Sequence, residues 1–548
     1  MLGEYHSFVG IREYKWRRKF CRTSICKNFC HLQLIVRELS CLKMMTFLVF
    51  PLVVYVIIFA IKWFIRHRKH VMHRDLMEKY GVPTNHKIVG FFHPYCNCGG
   101  GGERVLWTAI KCMLEKYKNI VIVIYTNDTE CLSNPDKIFS NIRRIFGIYS
   151  NKPSDSSAIH FVPLKSEVLL TPKLYRLFTL AGQAFGSILV GLEAIFRCPP
   201  DVYIDTTGFT FTIPLAKWLC NSQTAAYVHY PTISSVMLQR VSSSLFSKNK
   251  NEIVLTYNNP DWVRNNRIFS SIKFLYYNLF IKAYKFSGSS INVDVAMTNS
   301  SWTQRHIQSL WGGKPVVLYP PCPVEDLEGK SVSGQRFKWI LSVGQFRPEK
   351  NHELQLDAFH HFLSRYKSAK GDEKHQFKLL LIGGCRDDKD FALVSKLKDR
   401  AATLKLGDTV QFHINLPYQE LKSYFGCCSV NLHTMVDEHF GISVVEGMAS
   451  GLITIAHRSG GPLTDIIGPS ETCSSFNQLE NSGVGFLAST VDEYANIFEL
   501  VLLKMSESQI DAIRKNAIQW VHEKFSEVCF TRGWIDQMNV FGLESISA

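Results

Sequence analysis

The sequence predicts an α/β protein with two doubly wound domains and an N-terminal transmembrane helix. Its 548 residues exceed what one ordinary core accommodates. Apolar β-branched runs alternate with helical patterns in two successive stretches, as in parallel sheets covered by helices, and a long apolar run stands near the N-terminus. The predicted segments are a basic extension (1–43), a membrane anchor (44–66), a basic linker (67–85), a first domain (86–327), a linker (328–336), a second domain (337–506) and C-terminal helices packing back across the junction (507–548).

The apolar run covers residues 46–65 and is interrupted only by Lys62. At ~1.5 Å per residue such a helix spans the ~30 Å hydrocarbon layer. Arg66, Arg68 and Lys69 follow it, so the positive-inside rule places the following domains in the cytosol. A cleaved signal peptide is the alternative, but no small-residue cleavage site precedes the basic cluster. An uncleaved anchor is therefore the favoured interpretation.

Most of the positive charge lies at the N-terminal end. The chain carries a net charge of +15, and residues 1–74 contribute +11 of it from fourteen Lys and Arg against three Glu. A basic segment around an apolar run indicates a membrane surface. Nucleic-acid binding is disfavoured because no zinc-finger or helix-turn-helix pattern is present. Met44 and Met45 stand directly before the run, so residues 1–43 are either native or an upstream extension of the gene model.

The sixteen cysteines follow no regular framework. Cys96 and Cys98, like Cys427 and Cys428, are too closely spaced for a usual zinc knuckle, and no matching pair follows. Reduced, mostly buried thiols are the simpler interpretation, which indicates a reducing compartment for the bulk of the chain.

Short β-branched runs predict the strands of both sheets, and polar or Gly-rich loops follow several of them. Parallel sheets of this kind bind ligands beyond the carboxyl ends of their strands. Helical periodicity is clearest over residues 103–114 and from residue 507 onward. The predicted strands are 86–92, 120–125, 202–204 and 224–228 in the first domain and 339–343, 378–382, 409–412, 430–432 and 453–456 in the second.

Two further apolar stretches suggest contact with lipid. Residues 177–196 are apolar but include Gln183 and Glu193, which favours a buried or interfacial helix over a second span. Residues 269–286 interleave aromatic residues with lysines. That pattern is typical of a surface on anionic headgroups, although a half-buried core helix has the same composition.

The strongest chemical signal is the pair Glu438 and Glu446, eight residues apart around a Gly turn. Eight helical residues cover ~12 Å, about the distance from a transferable sugar to the ribose of its nucleotide. Glu438 is then predicted to receive sugar hydroxyls and Glu446 the ribose. The amides of Phe440, Gly441, Ile442 and the following serine, at the helix start, are predicted to face a diphosphate. A helix with two exposed acids is the structural alternative.

Two cations follow the first strand of the second domain. Arg347 and Lys350 stand on a loop where they can neutralise the charge that develops on a leaving nucleoside diphosphate. Gly344, at the start of that loop, and Gly383, at the end of the next strand, are predicted to line the donor site. A solvated loop is the alternative interpretation of the cations.

A glycine run closes the first strand of the first domain. Gly99, Gly100, Gly101 and Gly102, followed by Glu103, let backbone amides approach a phosphate with a helix start behind them. This phosphate or acceptor loop lacks the Gly-Lys-Ser/Thr ending of a P-loop and the GxGxxG spacing of a nicotinamide enzyme. ATPase and dehydrogenase activities are therefore disfavoured.

Two further polar residues follow strands of the first domain. His229 is a candidate to contact the sugar or to relay the acceptor's proton, and Asp205 to bind acceptor hydroxyls. Residues of these types in such loops are often structural. Asp388-Lys-Asp390 has the form of a metal-binding DxD but is interpreted as a chance match, so no catalytic metal and no cofactor are predicted.

Together these residues resemble the GT-B retaining glycosyltransferases of family 4, whose E-x7-E signature is similar to Glu438 and Glu446. The segments Phe92-His-Pro-Tyr-Cys-Asn-Cys-Gly-Gly-Gly-Gly-Glu-Arg, Tyr227-Val-His-Tyr-Pro and Gly344-Gln-Phe-Arg-Pro-Glu-Lys resemble one subfamily. It comprises the GDP-mannose-dependent α-1,2-mannosyltransferases of the dolichol-linked oligosaccharide pathway. The resemblance covers roughly residues 45–540.

This resemblance implies two Rossmann-like domains facing across a cleft, with the acceptor on the first and the donor on the second. It implies transfer of the fourth and fifth mannoses to a dolichyl-diphosphate oligosaccharide on the cytosolic face of the endoplasmic reticulum, for protein N-glycosylation. It implies that the donor is bound by Arg347, Lys350, Glu438 and Glu446. Many family-4 enzymes have Arg where Gln345 stands, so Lys350 is the firmer of the two cations.

The resemblance further implies ER membrane lipid and other mannosyltransferases of the pathway as partners. Two rival functions stay open. One is a family-4 enzyme with a different lipid acceptor, and the other is a catalytically inactive, sugar-nucleotide-binding membrane scaffold. The intact Glu438, Glu446, Arg347 and Lys350 favour an enzyme.

Overall fold

The computed structural model describes residues 24–128, 133–148, 158–175, 178–232, 267–328, 336–370, 376–468 and 483–544. Much of the predicted basic extension (1–23) and most of the inter-domain linker (329–335) lie outside the described residues. The side chains of Met44 and Met45 lie outside them too. The chain divides into two compact units, Met1–His67 and Arg68–Ala548.

The second unit contains two all-parallel sheets. The strands are β1 (Lys87–Phe92), β2 (Ile120–Thr126), β3 (Ile159–Pro163), β4 (Val202–Asp205), β5 (Gln223–Val228), β6 (Val295–Thr298), β7 (Val316–Val317), β8 (Phe337–Val343), β9 (Lys378–Gly383), β10 (Val410–Ile414), β11 (Cys428–Leu432), β12 (Ile453–His457) and β13 (Phe486–Ala488). The α-helices are α1 (Ser24–Tyr80), α2 (Gly101–Lys116), α3 (Pro135–Phe146), α4 (Thr179–Arg197), α5 (Ile213–Leu219), α6 (Arg267–Gly288), α7 (Ser301–Trp311), α8 (Val324–Glu328), α9 (His352–Lys370), α10 (Asp388–Thr403), α11 (Tyr418–Cys427), α12 (Ile442–Ala449), α13 (Val491–Glu499), α14 (Glu507–Phe525) and α15 (Glu527–Met538).

Both sheets have the strand order of a doubly wound fold. The first runs β3-β2-β1-β4-β5-β6-β7 and the second β10-β9-β8-β11-β12-β13. Residues of β2 are buried along the whole strand, as expected for a β-branched run covered by helices on both faces. In each sheet the strand order reverses beside the first strand, β1 or β8, which places the ligand-binding edge at the following loops.

All nine predicted strands are confirmed, with ends that differ by up to two residues. The sequence pattern did not predict four further strands, β3, β6, β7 and β13. They are short, with β7 comprising two residues and β13 three. The helical patterns at residues 103–114, 177–196 and 269–286 correspond to α2, α4 and α6.

The last helices cross from the second domain to the first. Helix α14 packs on α12, and α15 then packs on α2, where Lys111 Nζ lies 2.8 Å from Glu527 Oε1. The ring of Trp534 is fully buried and stacks on Phe91 of β1 at 6.3 Å. The C-terminal segment is thus an integral part of the first domain's core.

Helix α4 is packed into the first domain on one side. A Cβ on Gly186 would come within 2.2 Å of the Leu169 carbonyl, so glycine permits this close approach. Glu193 accepts hydrogen bonds from the amides of Lys165 and Ser166 at 2.8 and 2.9 Å. The length and composition of α4 would also allow it to cross a bilayer, and a third of its apolar window is buried. Its packing favours the predicted buried or interfacial helix.

In the first unit, α1 carries the predicted anchor. The side chains of Leu52, Tyr55, Phe59 and Trp63 are each more than 60% exposed. A helix that exposes large apolar side chains in this way requires an apolar environment to cover them.

Candidate active site

A cleft of about 480 Å³ lies between the two domains, and the loops at the carboxyl ends of their strands line it. Its walls bring together residues that are far apart in the chain, as the sequence predicted for the ligand edge of each sheet. The cleft-lining residues are His93, Tyr95, Gly101, Gly102, Glu103, Thr206, Thr207, Phe209, His229, Tyr230, Asn299, Pro320, Lys350, Glu438, His439, Phe440, Gly441, Ile442 and Ser443.

Lys350 and Glu438 form an ion pair on the second-domain wall, with Lys350 Nζ 2.5 Å from Glu438 Oε2. His433 Nε2 lies 3.0 Å from the same oxygen, and the amide of His439 donates to Oε1 at 3.2 Å. Burial alone would raise the pKa of Glu438, but the hydrogen bond from His433 and the charge of Lys350 hold that pKa well below its usual range. Glu438 is therefore a fixed carboxylate, and Lys350 is the cation that the cleft presents.

A glycine loop after β12 holds the backbone of Glu438. The amide of Gly461 donates to the Glu438 carbonyl at 2.7 Å, and the Ser459 hydroxyl accepts from the Asp437 amide at 2.7 Å. Gly460 has a φ of +60°, and a Cβ there would lie 2.2 Å from the Glu438 carbonyl oxygen. Sequence patterns did not indicate these glycines or His433, although His433 directly follows β11 and the glycines lie three and four residues after β12.

Gly344 and Gly383 lie where β8 and β9 end. A Cβ on Gly383 would come within 1.9 Å of the Gly344 carbonyl oxygen, so the close approach of the two strand ends requires glycine. One on Gly344 would contact the Lys350 side chain at 3.6 Å. These contacts support the position of Lys350, while direct donor binding by the two glycines stays a prediction.

Arg347 and Glu446 lie outside the cleft lining. The side chain of Arg347 is 37% exposed and pairs loosely with Glu349 at 3.9 Å. Glu446 is buried in α12, where burial raises its pKa and the charge of Arg104 counteracts part of that rise. The structure thus brings Lys350 and Glu438 into the cleft, whereas donor contacts by Arg347 and Glu446 stay predictions.

The glycine run places the start of α2 on the opposite wall. Gly101, Gly102 and Glu103 line the cleft, whereas Gly99 and Gly100 precede the helix outside its lining. Gly99 has a φ of +79°, and the amide of Gly100 donates to Glu103 Oε2 at 2.9 Å. Glu103 therefore caps the helix start, and the first amides of this helix suit an anion.

His229 faces the cleft, and Asp205 supports a loop behind it. His229 Nε2 lies 3.1 Å from the Thr206 carbonyl oxygen, and burial lowers the pKa of His229 to about 4. Asp205 Oδ1 accepts hydrogen bonds from the amides of Thr207 and Gly208 at 3.0 and 3.2 Å. Burial raises the pKa of Asp205 to about 6 despite these bonds. Its predicted contact with acceptor hydroxyls stays a prediction.

His439 joins the two walls. Its ring lies 5.7 Å from that of Tyr230 and 5.2 Å from that of Trp302, and both of these residues belong to the first domain. Sequence patterns assigned no role to these aromatic residues. His439 lies between Glu438 and Phe440 in the chain, so this aromatic contact couples the first domain to the carboxylate loop.

The DxD sequence belongs to the first turn of α10. Asp387 caps that helix by accepting from the amides of Lys389 and Asp390, each at 3.2 Å, and Asp390 accepts from the Arg386 amide at 3.0 Å. The described residues contain no cluster of three or more potential metal ligands. Hydrogen bonds at the helix start thus occupy Asp387 and Asp390, and metal independence stays a prediction.

Solved structures share this architecture. Anabaena Alr3699/HepE in complex with UDP and glucose superposes with a TM-score of 0.53 at 14% identity, covering 83% of this chain and 100% of that one. Sucrose-phosphate synthase from Thermosynechococcus elongatus gives 0.51 at 16% identity, covering 83% and 99%. Two parallel-sheet domains around a cleft define the class of the protein as a GT-B glycosyltransferase.

The sequence comparisons identify the family. Residues 86–311 match the family model for the ALG11 mannosyltransferase N-terminus, and residues 324–517 match glycosyl transferases group 1. The human GDP-Man:Man(3)GlcNAc(2)-PP-Dol alpha-1,2-mannosyltransferase is 42% identical over 441 residues, covering 79% of this chain and 83% of that protein. The Xenopus laevis protein of the same name is 39% identical over 460 residues, covering 83% and 86%. The chain belongs to this family of α-1,2-mannosyltransferases and is a hexosyltransferase.

Proposed function

We propose that this enzyme transfers mannose from GDP-mannose to a dolichyl-diphosphate oligosaccharide in α-1,2 linkage, adding the fourth and fifth mannoses with retention of configuration. The names of its relatives, given above, support the donor and the acceptor class. The observation that carries the proposal is the Lys350–Glu438 pair, which faces the start of α2 across one cleft.

The cleft can stabilise the charge of a departing nucleoside diphosphate. Lys350 supplies a cation, and the α12 start at Gly441 and Ile442 supplies backbone amides at the positive end of a helix dipole. The amides of Gly101 and Gly102 approach from the first domain. Fixed donors of this kind stabilise developing charge without reorganisation during the reaction, and domain closure around the donor excludes water.

The carboxylates of the cleft argue for attack on the same face that GDP leaves. Glu438 is held by Lys350 and His433, and Glu103 caps α2, so neither of these two lining acids is placed as a free nucleophile. The donor mannose and the product are both α-linked. We therefore propose departure of GDP with front-face attack by the acceptor's 2-hydroxyl, without a covalent glycosyl-enzyme.

Transfer assays with the purified full-length protein test this function. Labelled GDP-mannose, UDP-glucose and UDP-GlcNAc are each supplied with a dolichyl-diphosphate-linked Man(3)GlcNAc(2) acceptor, with and without EDTA. We expect two hexoses from GDP-mannose alone, removable by an α-1,2-mannosidase and unaffected by EDTA. Transfer from another donor, or a mannosidase-resistant product, contradicts the proposal. GDP-mannose binding without turnover favours the scaffold alternative.

We further propose that α1 anchors the enzyme in the ER membrane with the catalytic domains in the cytosol. The exposed apolar side chains from Leu52 to Trp63 and the basic residues after them support this placement. In sealed microsomes, protease added outside should digest the domains around Lys350 and Glu438. Full protection of that region until detergent is added would place it in the lumen and contradict the orientation.

A further inference from the structure

His93 is a buried histidine on the first-domain wall of the cleft. It directly follows β1, is 3% exposed and lines the cleft. Its Nδ1 lies 2.7 Å from Thr206 Oγ1, while its Nε2 has no partner among the described residues. A ring nitrogen of a cleft-lining histidine that has no protein partner is available to a bound ligand or to water. The open nitrogen therefore indicates a binding role rather than a packing role.

Thr206 contacts a ring nitrogen of each of the two neighbouring histidines. Its carbonyl oxygen can only accept, so His229 Nε2 donates to it at 3.1 Å and His229 Nδ1 is bare. The Thr206 hydroxyl has no other acceptor in the described part of the chain. When it donates to His93 Nδ1 at 2.7 Å, the proton of His93 stays on Nε2.

Both imidazoles stay neutral at physiological pH. Burial lowers the pKa of His93 to about 3, with a further contribution from His229, and burial lowers that of His229 to about 4. Two neutral histidines of the wall thus carry one hydrogen-bond donor, His93 Nε2–H, and one acceptor, His229 Nδ1. A sugar hydroxyl both donates and accepts, so this pair complements the hydroxyls of a pyranose.

We propose that His93 contacts the substrate by donating a hydrogen bond from Nε2 to a hydroxyl of a mannose held in the cleft, and that Thr206 is the residue that positions its ring. This inference rests on the proposed mannose transfer. The mannose belongs either to the donor or to the end of the acceptor, and both present the same hydroxyl chemistry. The KM for GDP-mannose and the rate of GDP-mannose hydrolysis without acceptor report the first source. The KM for the lipid-linked acceptor reports the second.

The test compares conservative and apolar variants of the full-length protein. His93→Leu keeps the bulk and removes the donor, and we expect kcat/KM to fall at least about tenfold, the value of one hydrogen bond in a buried site. His93→Gln restores an N–H near the position of Nε2 and should stay within about threefold of wild type. Thr206→Val removes only the hydroxyl and should cost about fivefold, whereas Thr206→Ser should match wild type.

The outcomes separate the inference from the proposed function. Tm is recorded for every variant. If His93→Leu does not fold, the comparison of kcat/KM between Thr206→Val and Thr206→Ser tests the proposal instead. Wild-type kcat/KM for both substrates in His93→Leu, or equal losses in the Leu and Gln variants, overturns the substrate contact. Equal rates in Thr206→Val and Thr206→Ser overturn the positioning role. A wild-type enzyme that transfers no mannose overturns the proposed function and this inference with it.

Discussion

Replacing Lys350 and Glu438 separately and together distinguishes their contribution to stability from their contribution to catalysis. The side chain of Lys350 is 23% exposed and that of Glu438 is 11% exposed, so solvent screens their 2.5 Å contact only weakly. Lys350→Met leaves the buried carboxylate with His433 as its remaining side-chain partner. One charge-assisted hydrogen bond contributes ~2 kcal/mol, and we expect the free energy of unfolding to fall by about that amount.

Catalysis should respond differently from stability. Loss of a group that stabilises developing charge lowers kcat by roughly 10²–10³-fold, or ~3–4 kcal/mol of the barrier. We expect this loss in Lys350→Met and in Glu438→Gln, because the carboxylate holds the ammonium in place. Two residues acting as one unit give non-additive losses, so the double variant should be no slower than the slower single variant.

The double variant should also recover stability, because it no longer leaves an unpaired buried charge. Thermal unfolding in detergent and labelled mannose transfer measure the two quantities on the same preparations. Lys396→Met, on the exposed face of α10, is the matched control and should change neither. Activity within tenfold of wild type in Lys350→Met, or multiplicative losses in the double variant, would refute the reasoning that Lys350 and Glu438 form one catalytic unit.

Two further predictions concern loops of the cleft. Gly460→Ala places a Cβ 2.2 Å from the Glu438 carbonyl oxygen at a φ of +60°, so kcat should fall at least about tenfold. Gly81→Ala is the control, because nothing lies within 4 Å of the new Cβ, and it should keep the wild-type kcat. Asp205→Asn should stabilise the protein above pH 6 by up to ~3 kcal/mol. The raised pKa of Asp205, about 6, means that its ionisation destabilises the folded state as the pH rises from about 4 to 6. The Tm difference from wild type should therefore vanish near pH 4, and a constant difference across this range contradicts the argument.

The sheets could be predicted from sequence because their central strands are long β-branched runs. Residues 120–125 consist almost entirely of Val and Ile, which marks a strand buried on both faces. The missed β7 and β13 are two and three residues long, and only their neighbours in the sheet make them strands. Local pattern could not reveal them, since their pairing depends on tertiary packing.

Site residues could be predicted from sequence where one loop carries several charged or glycine residues. They could not be predicted where burial of the side chain determines whether it reaches the cleft. Lys350 and Glu438 stand in recognisable loops, and both reach the cleft. Glu446 fits the same spacing argument, yet it is buried, feels the charge of Arg104 and is not among the residues that line the cleft. His93 has no spacing signal of its own. We propose a substrate contact for it because Nδ1 is paired with Thr206 while Nε2 has no partner among the described residues, and this arrangement is visible only in the structure.

The two halves of the cleft are held in register by contacts that sequence patterns did not indicate. Asp465, from the second domain, is buried and accepts from the Ser301 amide at the start of α7 and from the Tyr319 hydroxyl, each at 3.0 Å. The same helix carries Trp302 against His439, next to Glu438. The start of α7 therefore contacts both the domain junction and the loop that carries Glu438. Any opening of the cleft at this edge must break these contacts together, which links domain position directly to the geometry of the Lys350–Glu438 pair.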